Sequence, residues 1–401
     1  MSHDLAGVRA QFPALKAGWA HFDGPGGSQT PQPVIDAVAD ALAGPLANRG
    51  HVTAGERRAE ALVGDARRAM ADLLGADASG IVLGRSATQL TYDFARTLAR
   101  TWEPGDEVVV TRLDHDANIR PWVQAAAAAG AVVRWADFDP ATGELAPDAI
   151  GALLTDRTRL VAVTAASNLI GTRPDVPAIA ALAHARGALV HVDGVHATAH
   201  APIDVAALGA DLFVCSPYKF LGPHLGVAAG RPELLRTLHP DKLLPSSDEV
   251  PERFELGTLP YELLAGTRAA VDFLAGMDPE ATGTRRARLL TSLGSLETHE
   301  GALRRRIESA LAALPGVTVH SRAAERTPTL LLTLDGRSTV DACAHLAERS
   351  IAAPSGSFYA VEASRRLGLG DTGGLRIGLA PYTGDEDADR LLEALSAFLE
   401  A

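Results

Sequence analysis

Only three of the chain's 37 basic residues are lysines, Lys16, Lys219 and Lys242; the others are arginines. The two cations differ in the chemistry open to them. A guanidinium keeps its proton inside a protein, whereas a desolvated amine can lose one and attack a carbonyl carbon. Codon usage in a high-GC genome accounts for much of such a bias. Lys16 (PALKAGW) and Lys242 (HPDKLLP) sit in polar, turn-like surroundings that read as surface. Lys219 instead ends an apolar run in LFVCSPYKFLGPHLG and opens onto a glycine-containing loop. That setting suits an imine-forming amine.

The elements that must position Lys219 are legible around it. Short apolar runs at 80–84, 107–111, 131–136, 159–167, 188–193, 212–216 and 226–230 predict strands. Amphipathic stretches near 33–43, 55–74, 87–100, 117–129, 146–154 and 176–186 predict helices. Such alternation reads as an α/β fold, a mostly parallel seven-stranded sheet covered on both faces. The last three strand runs are joined by loops without a long helix, so part of the sheet edge is expected to be antiparallel. Ligands of open α/β sheets bind beyond the carboxyl ends of the strands. There the chain carries Ser86-Ala87-Thr88, Asp114-His115-Asp116, Ser167-Asn168, Asp193-Gly194-Val195-His196 and Ser216-Pro217-Tyr218-Lys219. Polar groups at five successive strand ends make a site.

For an aromatic phosphate held as an imine, each cluster has a task. Ser86, Ala87 and Thr88 at a helix N-terminus would receive the anion, with Ser216 adding a hydroxyl. His115 would lie flat over the ring, and Asn168 and His196 would bond a phenolic oxygen. Asp193 at a buried strand end needs a cationic partner, which a protonated pyridine nitrogen supplies. A pyridine held protonated is an electron sink, the chemistry of pyridoxal phosphate. Singly, these residues have plainer explanations. Asp193 before glycine suits a turn, His115 a solvated loop, Ser86 and Thr88 helix caps, and His196 with His200 a metal pair lacking a third ligand. It is the interlocking of the roles that favours the site.

Composition bounds the rest. At 401 residues, 47% hydrophobic and 21% charged, the chain exceeds what one core usually serves, and two domains are expected. A helix-rich span from 259 to 313, strand runs at 317–320, 328–334 and 373–379, and helices at 338–348 and 384–400 predict an α+β second domain. The net charge of -12 argues against nucleic-acid and anionic-membrane partners. No run approaches the roughly 20 apolar residues of a membrane span, and MSHDLAGVRAQFPAL lacks the pattern of a secretory signal. Two cysteines, Cys215 and Cys343, are too few for a disulfide framework and lack metal-ligand spacing, so no metal is expected and a cytoplasmic location is. The run GPGGSQ at 24–29 precedes the sheet and suits close backbone approach to a substrate rather than dinucleotide binding; zinc-protease, Walker A and nucleophile-elbow motifs are absent from the sequence.

The segment VDGVHATAHAPIDVAALGADLFVCSPYKFLGP, with LDHDANIRPW, AASNLIGT, RFELGTLP and GGLRIGLAPYT in fixed order, resembles the class V aminotransferase superfamily. The nearer resemblance is to the branch of SUF-type cysteine desulfurases and selenocysteine lyases. It implies the fold type I architecture of pyridoxal-phosphate enzymes. Residues 1–30 would form an N-terminal segment near the active site and small domain, 31–275 a large cofactor domain, and 276–401 a small C-terminal domain. It also implies a homodimer with the active site at the subunit interface and an amino-acid substrate. By position, Lys219 would form the imine and move the substrate α-proton. Asp193 would hold the ring nitrogen and His115 would stack, with Asn168 and His196 on the hydroxyl side of the ring. Ala87, Thr88 and Ser216 would bind phosphate, Tyr218 would line the cofactor site, and Thr258 would reach the neighbouring subunit's phosphate. Arg376, Tyr359 and His51 would contact substrate, Arg376 by clamping the α-carboxylate.

Departures from that branch bear on the reaction. Tyr359 stands at the position of the desulfurase nucleophile, Tyr218 where those enzymes carry histidine, and His196 where they carry glutamine. Cys343 reads as apolar-face helix with Val340 and Leu346, and Cys215 as strand core. A lyase expelling a sulfur or related leaving group from the β-carbon, without a protein persulfide, is therefore expected first. Transamination, epimerisation and a non-catalytic cofactor-binding protein follow.

Overall fold

The computed structural model describes residues 3–400. Met1, Ser2 and Ala401, at the outer ends of the 1–30 and 276–401 segments, lie outside the described residues. A two-residue strand, β1 (Ala20–His21), comes first. The main sheet follows: β2 (Ile81–Gly84), β3 (Glu107–Thr111), β4 (Val132–Ala136), β5 (Thr158–Thr164), β6 (Leu189–Asp193), β7 (Leu212–Cys215) and β8 (Gly226–Gly230). Its order is β2-β8-β7-β6-β5-β3-β4. From β4 to β7 all pairings are parallel, and β8 is antiparallel to both β7 and β2. The antiparallel pairing expected from the loop-only connections thus involves the edge strand β2, through β8 one place in. Two successive reversals restore the direction of β2, so β2, β3, β5, β6 and β7 end on one side of the sheet.

Burial follows the pleat. Val108, Val110, Leu160 and Ala162 pack on one face with Leu90, Phe94, Ile119 and Trp122. Val109, Val161, Val163, Val190 and Val192 pack on the other with Met70, Leu73, Ile179, Leu264 and Leu293. Such period-two alternation between two apolar layers is what a sheet buried on both faces requires. Helix starts are chemically marked. Thr53 and Glu56 form a capping box before Ala54–Leu74, and the Ser86 hydroxyl accepts from Gln89 N at the start of Ala87–Ala99.

Beyond helices Tyr261–Ala275 and Arg285–Leu311 come β9 (Val317–Val319), β10 (Thr329–Leu334), β11 (Ile351–Ala352), β12 (Ser355–Gly356) and β13 (Gly374–Gly378). Four of these form an antiparallel sheet, β12-β13-β10-β9, and β11 pairs with β1 in parallel. Leu303, Ile307, Leu346, Leu391 and Leu395 from helices cover it. Gly378 N donates to the Phe22 carbonyl at 2.8 Å, so the segment after β1 is stitched to this second sheet.

Three local expectations change. The strand predicted over 159–167 stops at Thr164, and the helix predicted from 117 begins at Arg120 after a single tight turn over Asp116–Asn118. Val340 is 66% exposed; Ala342 and Leu346 form the buried stripe of its helix, and Cys343 is half-buried. Among the described residues no helix is long and apolar enough to cross a membrane.

Candidate active site

A cavity of about 500 Å³ opens at the side where the parallel strands end, and all the predicted site residues except Ser86, Thr258 and His51 line it. Lys219 reaches it from the tight turn Pro217–Lys219 that follows β7. Its Nζ donates to the Pro25 carbonyl and lies 4.9 Å from the centre of the Tyr218 ring. The glycine-rich run near the N-terminus therefore approaches the site through its backbone. Burial, reinforced by Arg376 and opposed by Asp193, pulls the Lys219 amine down to about 7, so an appreciable fraction is neutral at physiological pH.

Asp193, at the end of β6, is 6% exposed. Its Oδ1 accepts from Val195 N at 2.8 Å, and its other oxygen has no hydrogen bond among the described residues. Burial raises its carboxyl to about 6, against the pull of the Val195 N–H and Lys219. His115 is oriented by Ala117 N, which donates to Nδ1 at 3.0 Å. Burial, then the charge of Lys219, lowers this imidazole to about 4, so it is neutral at pH 7. Its ring lies 5.6 Å from that of Tyr359, tilted by 34°.

Arg376, on β13, is 2% exposed. Nη1 donates to the Asn168 carbonyl at 3.0 Å, and the guanidinium carbon sits 3.6 Å from the centre of the Phe358 ring. Among the described residues Nε is buried without a partner, as is Oδ1 of Asn168. Burial lowers Arg376 to about 9, leaving it charged at neutral pH. A buried cation with no carboxylate partner is costly, and its unpaired edge presents the fork that a carboxylate fits.

The N-terminus of helix Ala87–Ala99 lines the same cavity. The Ala87 and Thr88 N–H groups make no hydrogen bond among the described residues, and Ser216 lies nearby in the same lining. Gly226 makes this geometry possible: a Cβ there would lie 2.2 Å from Ser86 C and 2.6 Å from Ala87 N. The free groups are thus an anion-binding helix end, a buried carboxylate, a flat neutral imidazole, a depressed amine and an unpaired guanidinium. That donor set fits a phosphorylated pyridine aldehyde and an amino acid. His196 lines the cavity with Nε2 shared by the hydroxyls of Thr327 and Thr329, each at 3.0 Å. His200 Nδ1 is 2.9 Å from Glu300 Oε2, and among the described residues no group of three or more His, Cys, Asp or Glu side chains is placed to hold a metal ion.

Thr258 and His51 are exposed and are not brought to this cavity. Glu255 ties the Thr258 loop to the sheet by a bidentate pair with Arg67 and by accepting from Leu83 N. Residues that sequence reasoning missed include Phe358, Tyr92 and Arg120, which pairs at 2.8 Å with Asp116 of the predicted strand-end cluster. Phe358 and Tyr359 both have positive φ, 52° and 58°, held by Asn168 Nδ2 donating to the Phe358 carbonyl and Asp116 N to the Tyr359 carbonyl. Adjacent non-glycine residues in this region are uncommon, and no spacing signals them.

The Lys219 shift has a measurable consequence. Between pH 7 and 10.5 the unfolded chain holds a proton on this amine that the folded, cofactor-free chain does not. Unfolding free energy must therefore rise with pH across that window. In urea titrations the difference between the chain and Lys219→Met should move in the chain's favour from pH 7 upward and stay flat below. A difference independent of pH contradicts the burial of the amine.

A model of the aminotransferase class-V family matches residues 20–391. A Mycobacterium tuberculosis protein described as uncharacterized is 34% identical over 99% of this chain and 100% of its own length. An aminotransferase-like protein of Gibberella zeae is 32% identical, covering 99% of each. A probable cysteine desulfurase of Pseudomonas aeruginosa is 31% identical, covering 98% of each. Among solved structures, a cysteine desulfurase of Escherichia coli superposes with a TM-score of 0.88 at 29% identity, covering 99% of this chain and 98% of its own. A Thermococcus onnurineus cysteine desulfurase reaches 0.90 at 24% identity, covering 100% and 99%, and shares the fold.

Proposed function

This chain belongs to the class-V aminotransferase family, whose members depend on pyridoxal phosphate, and from that premise we propose a lyase that expels a leaving group from the β-carbon of an amino acid without a protein persulfide. The observation that carries the reading is one cavity holding a depressed lysine, a buried carboxylate and an unpaired buried arginine.

When bound, the cofactor supplies a sink for the electron pair left at the amino acid's α-carbon. The chain's residues do the rest. Ala87 and Thr88 N–H groups and the Ser216 hydroxyl take the phosphate at the helix end. Asp193 keeps a proton on the ring nitrogen, and His115, neutral and held by Ala117 N, covers the ring face. Arg376 orients the α-carboxylate through its free edge. Lys219, with affinity for a proton near neutrality, takes the α-proton and returns it where the product requires. The Tyr218 ring, 4.9 Å from the Lys219 amine, lines the cavity beside it. Thr258 and His51 serve the cavity of a second copy. Their neighbours Leu256 and Val52 are 49% and 83% exposed, apolar surface that a homodimer would cover.

The persulfide-free reading rests on the cysteines. Cys215 is buried in β7, where burial pushes its thiol well up, and neither cysteine lines the cavity. Loaded protein should convert an amino acid with a β-leaving group into a keto acid, ammonia and the released group. Cys215→Ala/Cys343→Ala should keep this rate, and the unsubstituted chain should carry no sulfane sulfur on either cysteine during turnover. Loss of turnover in the double variant, or amino transfer to an added keto acid in place of elimination, refutes the lyase.

A further inference from the structure

Behind Lys219 the interior is not solid. A void of about 10 Å³ lies between Lys219, Ser28 and His200, and a second of about 20 Å³ lies between His200, Glu300, Arg173 and Glu297. Of all the residues bordering either void, His200 alone borders both. Each is about the size that one water requires. Between them His200 Nδ1 is 2.9 Å from Glu300 Oε2, while Glu300 Oε1 is buried and has no partner among the described residues. Both side chains are almost fully buried, at 5% and 1% exposure. The outer void is bordered by Arg173 and Glu297, paired at 2.5 Å with side chains 32% and 45% exposed, and so adjoins solvent. Other charged or titratable groups facing the pair are His196, with ring centres 4.9 Å apart, and Arg304 and Arg326 across the outer void.

We infer that His200 and Glu300 form a proton relay through which Lys219 exchanges its proton with solvent across the interior of the fold, independently of the substrate mouth. A buried histidine–glutamate pair with a bare carboxylate oxygen is expensive as a purely structural device, and a relay explains the open oxygen. For each proton leaving, the lysine ammonium gives one to water in the inner void. His200 accepts one at Nε2 and releases its own from Nδ1 to Glu300 Oε2. Glu300 passes one from Oε1 to water in the outer void. Histidine and glutamate finish with the proton count they began with, and inward transfer is the reverse. The pair touches neither substrate nor cofactor and acts through Lys219, so these are positioning residues for its proton.

The consequence for catalysis rests on the amino-acid reading above. Loaded chain and Glu300→Gln, which keeps the shape but cannot take up a proton, are given substrate carrying deuterium at the α-carbon in ordinary water. Substrate recovered before it has eliminated should keep a larger fraction of its α-deuterium with the variant than with the unsubstituted chain, with the visible spectrum unchanged. Equal retention overturns the relay. A second measurement needs no turnover: in cofactor-free chain labelled with ¹⁵N-histidine, the His200 ring resonances should shift between the chain and Lys219→Ala. Unmoved resonances overturn the relay as well. Moved resonances in a chain that exchanges no amino-acid α-hydrogen would sink the proposed activity and leave the relay standing.

Discussion

Lys219→Ala is expected to abolish the visible absorption of the cofactor-loaded protein and to lower turnover by about two to four orders of magnitude or more, the range that removal of a positioned acid–base group produces. No other amine can substitute. Lys16 is exposed, and Lys242 is held by Asp248 at 3.1 Å and by the Ser246 carbonyl at 2.9 Å; neither borders the cavity. Lys219→Arg should fail equally, because a guanidinium neither loses its proton nor attacks a carbonyl. Stability should not follow activity. The fold buries this amine at a cost, so its removal should leave the urea midpoint at or above that of the chain near neutral pH. A midpoint that fell with the absorption would mean that a structural role had been mistaken for a chemical one.

Arg376→Ala should act on the substrate and spare the cofactor. Losing one partner of a buried, hydrogen-bonded charge pair costs about 3 kcal/mol, on the order of a hundredfold in kcat/KM. The guanidinium's contacts are Asn168 and Phe358 and not the N–H groups of the helix end, so the visible spectrum should persist. Arg376→Lys should recover little, since an ammonium is a point charge without the planar fork. The decisive comparison is an amino acid against the amine lacking its α-carboxylate. The chain should discriminate strongly between them and the alanine variant weakly. Equal discrimination would remove Arg376 from substrate recognition.

How far these features were legible in the chain depends on range. The strands were plain because valine-rich runs at 107–111 and 188–193 are bounded by turn residues, and a doubly covered parallel sheet then aligns their carboxyl ends. Asp193, His115 and Lys219 could be grouped from that rule alone. What escaped depends on contacts between distant segments. The Pro25 carbonyl meets Lys219 across 194 residues, and Phe358 covers Arg376 only because two adjacent residues adopt positive φ, which no spacing encodes. His196 looked free until the second sheet supplied Thr327 and Thr329 hydroxyls. Val340 looked apolar-facing because a short helix offers too few turns to fix its buried stripe.

Three lysines in the whole chain make the central claim directly measurable. Borohydride treatment of the loaded protein converts a reversible carbon–nitrogen link into a permanent one, and peptide mass spectrometry then locates the added phosphopyridoxyl mass. The account predicts that mass on the peptide containing Lys219 and on no other. Its appearance on Lys16 or Lys242, or on none of the three, would contradict it.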